Sequence, residues 1–128
     1  MVRENILKIK NRIVGACSKI NHEPEQITIV AVSKSRTPEQ ISEVIAAGIT
    51  DIGENKVQEA IFKYNNLRTQ ELVNLQTIKW HMVGHLQTNK VKEAVRIFDL
   101  IQSVDSLHLA EEIDKQASKI NKTQDIFN

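Results

Sequence analysis

The chain has 128 residues, of which 41% are hydrophobic and 26% charged, and its formal net charge is +1. This length and composition are ordinary for one globular domain with a moderate core. No apolar stretch approaches the roughly 20 residues of a membrane span, and no apolar segment follows Met1 as it would in a secretory signal. The single Cys17 excludes an internal disulfide and a multi-cysteine zinc site. With no basic cluster and 4% aromatic residues, the composition favours a cytoplasmic domain that binds neither nucleic acid nor membrane.

Helical and strand patterns alternate from the start of the chain. Residues 3–20 carry apolar side chains at helical spacing opposite a polar face, which predicts a leading helix. The apolar run at 27–32 predicts a strand buried on both faces, as in a parallel sheet. Thr37, Pro38 and Gln40 then predict an N-cap, a first helical residue and a capping box. Gly48 is expected just past the end of that helix.

Three further strand–helix units follow, and then the beginning of another strand. Strands are predicted at 49–53, 78–84 and 100–104. Helices are predicted at 56–75 with a break near Asn65-Asn66, at 90–97 with Thr88 or Asn89 as its cap, and from a Ser106 cap to Ile120. The four strand–helix units thus occupy 27–120, and residues 125–128 start a fifth strand.

A helix followed by alternating strands and helices predicts a parallel sheet with right-handed crossovers. Two architectures remain open on this pattern. A doubly wound sheet of five strands fits the length, whereas a (β/α)8 barrel needs about 250 residues and half of one exposes strand edges. The response-regulator version of the doubly wound sheet needs carboxylates where this chain has Ser33-Lys34 and Gly84-His85. The pattern alone nevertheless favours the doubly wound sheet.

Lys34 directly follows the first predicted strand, at the edge where parallel sheets place their sites. Partial burial there would favour the neutral amine, which is the nucleophile that condenses with an aldehyde. Alternatively, the aliphatic stem covers apolar surface while the ammonium reaches water. The spacing alone favours the second interpretation, in which Lys34 has no chemical role.

Asn55 and His81 occupy comparable places on the next two strands. Asn55 follows Gly53-Glu54 and either caps the next helix or binds a ligand. Strand alternation places His81 with Lys79 and Val83 on one face, so His81 either faces a cofactor or is a structural histidine. The second histidine, His85, stands four residues further on, but this spacing favours a metal site on a helix rather than on a strand.

Four segments together carry a resemblance to a known family. They are Ala31-Val32-Ser33-Lys34, Gly53-Glu54-Asn55-Lys56-Val57-Gln58-Glu59, the run from Trp80 to Lys90 (WHMVGHLQTNK), and Ser103-Val104-Asp105-Ser106. In this order and at these separations the chain resembles the pyridoxal phosphate homeostasis proteins, which share the fold type III barrel of the alanine racemase N-terminal domain. The resemblance implies the N-terminal half of a (β/α)8 TIM-type barrel preceded by a helix, in place of the doubly wound sheet.

The resemblance also implies a cofactor and a function. Lys34 matches the lysine that holds pyridoxal 5′-phosphate as a Schiff base, and Asn55 and His81 match positions close to that cofactor. Members of the family act in vitamin B6 homeostasis, have no established catalytic activity and are expected to be monomers. The alternatives are an amino-acid racemase-like enzyme, which needs an acid or base opposite the lysine that mid-helix Tyr64 does not offer, and a non-catalytic interaction module.

Family chains continue through four more strand–helix units, and the groups that hold the phosphate of the cofactor belong to that later part. We therefore expect the 128 residues alone to bind the cofactor weakly or not at all. An isolated half-barrel is also expected to be prone to self-association, because strand edges and apolar surface stay uncovered.

Overall fold

The computed structural model describes residues 2–70 and 75–127. Residues 71–74 of the helix predicted at 56–75, and Asn128 of the predicted fifth strand, therefore lie outside the described residues. The helices are α1 Val2–Lys19, α2 Pro38–Ala46, α3 Val57–Leu67, α4 Val91–Ile97 and α5 Leu107–Lys119. The strands are β1 Val30–Val32, β2 Asp51–Glu54, β3 Lys79–Met82, β4 Leu100–Ile101 and β5 Asp125–Ile126. Every predicted element is present in this order, although the strands are shorter than their apolar runs.

The five strands form one parallel sheet in the order β1-β2-β3-β4-β5. Because each right-handed crossover leads to the next strand in the same direction, the connecting helices must lie on one face of the sheet. In agreement, each helix from α1 to α5 contacts its successor, so that the helices form a single layer. A doubly wound sheet requires a reversal of strand order, and the described strands have none.

The sheet curves away from the helices. A cavity of about 830 Å³ on its free face is lined by side chains from all five strands, including Val30, Asp51, His81, Leu100 and Asp125. Strands that border one common cavity must bend around it. A sequential, curved, parallel sheet with helices on its convex side is the arrangement of half a (β/α)8 barrel. The predicted fold class is therefore confirmed, and the doubly wound alternative is wrong.

The hydrophobic core lies between the convex face of the sheet and the helix layer. Its strand residues alternate with those that face the cavity, as the two-residue period of a strand requires. Trp80 is 1% exposed and its ring meets that of Tyr64 edge-on, with 5.9 Å between ring centres. The other buried members include Ile41, Ile52, Ala60, Leu67, Met82, Val91, Phe98, Ile101 and Ile113.

One predicted feature of β1 is wrong. The apolar run at 27–32 predicts burial on both faces, yet Val32 is 55% exposed and Val30 is only half-buried. Helices cover only the convex face, so the side chains of the concave face meet the open cavity instead of a second layer. Moreover, β1 pairs with one strand, β2, and lies at the edge of the described sheet.

Helix termini follow the sequence signals in three of four cases. Thr37 and Gln40 form both hydrogen bonds of the predicted capping box, and Gly48 follows α2 with φ of 97°. Ser106 caps α5 by accepting a hydrogen bond from the backbone of Leu109. The expected cap of α4 is wrong: Thr88–Lys90 form a 3-10 turn, and the helix begins after Lys90 without a side-chain cap. Within the described ranges, no helix combines the length and apolar character needed to cross a membrane.

Candidate functional site

A cleft of about 460 Å³ opens where β1, β2 and β3 end. Lys34 contributes to it from the turn after β1, Asn55 from the end of β2, and Gly84 from the segment after β3. Two of the three predicted site residues, Lys34 and Asn55, therefore line one space. This is the carboxyl edge of the sheet, where parallel α/β folds place their ligands.

Lys34 stands in a tight turn that joins β1 to α2. The backbone N–H of Arg36 closes this turn by donating to the carbonyl oxygen of Ser33 at 3.0 Å. Ser35 has a φ of 60°, a left-handed conformation that costs a residue other than glycine some energy. The side chain of Lys34 is exposed and has no hydrogen bond or ion pair with any described residue. The partial burial considered for this lysine is therefore wrong for the described part of the chain, because the cleft is open to solvent.

Asn55 is not a helix cap. Helix α3 begins after Lys56, which is its N-cap residue, and no side chain caps it. Asn55 is half-buried, and its amide has no hydrogen-bond partner among the described residues. An amide offers two donors and one acceptor oxygen, so this side chain is free to bind a ligand in the cleft.

Gly84 allows the ends of β2 and β3 to approach each other. A Cβ atom on residue 84 would lie 2.5 Å from the carbonyl oxygen of Asn55 and 2.8 Å from its Cα. Real Cβ atoms do not come so close to backbone atoms, so the contact requires glycine at this position. The glycine within the motif Trp80 to Lys90 thus allows the backbone of Asn55 to lie directly against the segment that follows β3.

The charge around the cleft is predominantly positive. Its lining includes Lys34, Lys56 and Lys90, and no carboxylate occurs among the described lining residues. His85 also lines the cleft and lies 3.7 Å from Asp105, with both side chains largely exposed. Lysines that converge on one cavity attract an anionic ligand. Within residues 2–70 and 75–127, no group of His, Cys, Asp or Glu side chains could hold a metal ion.

His81 lies in the cavity on the concave face instead of the cleft. It is 5% exposed, and its Nε2 lies 2.7 Å from Oδ2 of Asp51 while its Nδ1 lies 2.8 Å from Nε2 of Gln102. The amide nitrogen of Gln102 can only donate, so Nδ1 accepts and Nε2–H donates to the carboxylate. The predicted alternation of β3 is confirmed, because His81 faces the cavity while Trp80 and Met82 belong to the core. The ring of His81 is thereby fixed in one orientation.

Sequence patterns do not predict a second polar cluster, which lies behind Lys34. It consists of Ser33, Glu54, Glu59 and Lys63, and we call it the Lys63 cluster. Lys63 is 1% and Glu54 0% exposed. The only sequence signal for it is the four-residue spacing of Glu59 and Lys63, which is typical of an ion pair on a helix surface.

The pKa values of the two carboxyl groups in the Lys63 cluster are shifted in opposite directions. Burial raises the pKa of Glu54 above its usual value of 4.5, against the opposing effects of Ser33 and Lys63. The hydrogen bond from Lys63 lowers the pKa of Glu59, and the one from the backbone of Ser35 adds to this. Glu59 is accordingly the more firmly ionised of the two.

The sequence is similar to curated proteins named pyridoxal phosphate homeostasis protein. The one from Aquifex aeolicus is 37% identical over 124 residues, which are 97% of this chain and 52% of that protein. The one from Escherichia coli K12 is 34% identical over 115 residues, covering 90% of this chain and 48% of that protein. No family model matches the chain.

Solved structures give the same picture. PipY of Synechococcus elongatus, determined with pyridoxal phosphate bound, superposes with a TM-score of 0.82 at 33% identity, over 98% of this chain and 52% of PipY. A protein of unknown function from Bifidobacterium adolescentis superposes with a TM-score of 0.88 at 28% identity, over 98% of this chain and 53% of its own. The resemblance seen in the sequence motifs is confirmed, and the chain spans about half the length of the relatives it matches.

Proposed function

We propose that this chain, which is related to the pyridoxal phosphate homeostasis proteins over about half of their length, binds pyridoxal 5′-phosphate through Lys34 and takes part in its homeostasis. One observation carries the proposal: the amine of Lys34 and the amide of Asn55, both without partners among the described residues, line the same lysine-rich cleft. An unpaired amine and an unpaired amide at the carboxyl edge of a parallel sheet are suited to bind an aldehyde-bearing anion.

The groups in the cleft fit the chemistry of the cofactor. When bound, pyridoxal phosphate supplies an aldehyde that joins reversibly to a primary amine, next to a polar aromatic ring and a phosphate. Lys34 offers the exposed amine, Asn55 offers hydrogen bonds to ring substituents, and Lys56 and Lys90 offer positive charge. Met82, which is buried and also lines the cleft, provides an apolar surface of the kind that an aromatic ring contacts.

We propose His81 as the third residue of the site, acting from below the cleft. Its register partner on β2 is Gly53, whose partner on β1 is Val32. Lys34 follows Val32 by two residues, so His81 lies level with the last residue of β1, just before the turn that carries Lys34. With its ring held by Asp51 and Gln102, His81 can form a wall under the cofactor without changing orientation.

The function of the whole family belongs to chains about twice this length. We propose that the 128 residues by themselves hold the cofactor mainly through Lys34, and more weakly than a full-length relative does. On the free face of the sheet, Val32 and Phe127 are 55% and 54% exposed. We therefore expect the isolated chain to self-associate at high concentration, which light scattering during size-exclusion chromatography measures.

The setting of this function follows from composition. One free cysteine among 128 residues and a net charge of +1 support a reducing cytoplasm and argue against a nucleic-acid ligand. We propose a cytoplasmic protein whose ligand is a small molecule. The only tyrosine, Tyr64, packs against Trp80 in the core, so the described part of the chain gives no observation in favour of racemase chemistry.

The decisive experiment is to trap the bound cofactor. The chain is mixed with less than one equivalent of pyridoxal phosphate, reduced with borohydride, digested and mapped by mass spectrometry. We expect the label on Lys34, and we expect its loss in Lys34→Ala but not in Lys92→Ala, where an exposed lysine of α4 is removed. Label spread evenly over the exposed lysines would overturn the proposal.

A further inference from the structure

A buried ammonium lies behind the turn that carries Lys34. Lys63, on α3, is 1% exposed. Its Nζ lies 3.1 and 3.2 Å from the two carboxylate oxygens of Glu54 and 2.9 Å from Oε1 of Glu59. It also donates to the backbone carbonyl oxygen of Ser33. Lys63 thus has three hydrogen-bonding partners from three different segments of the chain.

The Lys63 cluster holds the backbone on both sides of Lys34 in the sequence. Ser33, whose carbonyl oxygen accepts from Lys63, is the residue before Lys34. Ser35, the residue after it, donates its backbone N–H at 2.7 Å to the same Oε1 of Glu59 that pairs with Lys63. Neither the Ser33 nor the Ser35 contact involves the side chain of Lys34, so its amine stays free while its backbone is held.

The same cluster also fixes the neighbouring strand. Glu54 immediately precedes Asn55, and its carboxylate accepts hydrogen bonds from both Lys63 and the hydroxyl of Ser33. The residues before Lys34 and before Asn55 are therefore connected through one buried ion pair. Lys63 therefore contacts the residue that precedes each of the two cleft residues.

Stability alone is a poor explanation for such a cluster. Burying an ammonium and a carboxylate costs desolvation energy that their attraction repays only in part, and apolar residues of similar volume are often as stable. The turn, by contrast, needs an external restraint, because Ser35 adopts a left-handed conformation that serine disfavours. The hydrogen bond from Ser35 to Glu59 provides that restraint.

We propose that Lys63 is a positioning residue for Lys34. Together with Glu59 it holds the turn 33–36 in the conformation that presents the amine of Lys34 to the cleft. This inference rests on the proposed function for its biological meaning, but the positioning itself is a property of the ligand-free chain.

The test compares three variants with one control. Lys63→Met removes the ammonium, and the pair Lys63→Met with Glu54→Gln also removes the carboxylate that would otherwise be left buried without a partner. Glu59→Ala removes the acceptor of the Ser35 N–H together with the ion pair to Lys63, from a side chain that is 26% exposed, and leaves Lys63 paired with Glu54. Lys115→Met replaces an exposed lysine of α5 and serves as the control.

Two measurements on the ligand-free protein separate positioning from folding. The first is amide hydrogen exchange of peptides that cover 33–37, which we expect to be about tenfold faster in the three variants and unchanged in the control. The second is the reactivity of the Lys34 amine toward acetic anhydride relative to that of Lys92, an exposed lysine of α4. We expect this ratio to change in the three cluster variants while exchange in α5 stays as in the wild type.

Cofactor trapping then connects positioning to function. We expect about tenfold slower labelling of Lys34 by pyridoxal phosphate and borohydride in the cluster variants, since small misplacements of a reacting group lower rates strongly. Unchanged exchange at 33–37 together with unchanged acetylation of Lys34 would overturn the inference. Should Lys63→Met not fold, the neutral double variant and Glu59→Ala decide in the same way. If the wild type shows no selective labelling of Lys34, the proposed function fails, whereas the exchange and acetylation results still decide the positioning of Lys34.

Discussion

The backbone of Gly84 lies directly against the backbone of Asn55, so the segments that follow β3 and β2 touch at the cleft. A Cβ atom at position 84 would stand 2.5 Å from the Asn55 carbonyl oxygen. This contact explains in steric terms why the motif WHMVGHLQ has glycine between two large residues. It also makes position 84 a sensitive probe of the site.

Gly84→Ala should therefore disturb the cleft more than the fold. The added methyl group must push the end of β3 away from Asn55, which we expect to cost about 1–3 kcal/mol of unfolding free energy and to lower the yield of cofactor trapped on Lys34. Chemical denaturation and borohydride trapping measure the two effects.

Gly15→Ala is the matched control, because a Cβ there meets no atom within 4 Å. In helix α1 that change should instead stabilise the protein by about 0.5–1 kcal/mol. Equal behaviour of the two variants would contradict the steric argument.

Asn55→Ala should weaken cofactor binding without lowering the free energy of unfolding. The amide has no partner among the described residues, so its loss should change the unfolding free energy by no more than about 0.5 kcal/mol. A lost hydrogen bond to a ligand is worth about 1 kcal/mol, which corresponds to roughly fivefold weaker binding. Titration of the trapped fraction against pyridoxal phosphate measures this, with Asn89→Ala as an exposed asparagine control. A large drop in stability would mean that the amide has a structural role.

Local signals in the sequence predicted the order of the elements and the starts of α2 and α5. Thr37, Pro38 and Gln40 determine the start of α2 through contacts within four residues, so no knowledge of the fold was needed. The sheet architecture was different, because a doubly wound sheet and a half-barrel share the same alternation of elements. Only the spatial order of the strands separates them, and that order depends on long-range pairing that periodicity does not encode.

The candidate site was predictable for residues that carry a recognisable motif and not for those behind them. Lys34 and Asn55 follow strand ends, where a ligand is expected. The four-residue spacing of Glu59 and Lys63 is typical of an ion pair on a helix surface. Lys63 is nevertheless buried, because α3 packs with this side chain directed toward the end of β1. The free faces of Val30 and Val32 were also mispredicted, since an apolar run does not reveal how many of its faces another layer covers.

The two helix caps offer a comparison between a cap near Lys34 and one far from it in sequence. Thr37→Ala and Ser106→Ala each remove one side-chain acceptor of a helix N-terminus, which typically costs about 0.5–2 kcal/mol. We expect both to lower the melting temperature by a few degrees. Only Thr37→Ala should also speed hydrogen exchange in the turn 33–36, because Thr37 follows that turn directly. Equal exchange in the two variants would show that the turn is independent of the cap.

The pH dependence of stability should report on Glu59. Its pKa is lowered from the usual 4.5, first by the hydrogen bond from Lys63. A carboxyl group with a lowered pKa in the folded state contributes stability above its unfolded pKa, and this contribution is lost as the pH falls below about 4.5 and through the lower folded value. The raised pKa of Glu54 acts in the opposite direction, since it favours folding at low pH.

Thermal unfolding between pH 6 and pH 3 tests the contribution of Glu59. The melting temperature of the wild type should fall over this range, and it should fall less in Glu59→Gln, because glutamine keeps a hydrogen-bond acceptor but does not titrate. Glu111→Gln, at an exposed position, should leave the decrease of the melting temperature at acid pH as in the wild type. An identical decrease in the wild type and in Glu59→Gln would mean that the carboxylate of Glu59 does not stabilise the turn that presents Lys34.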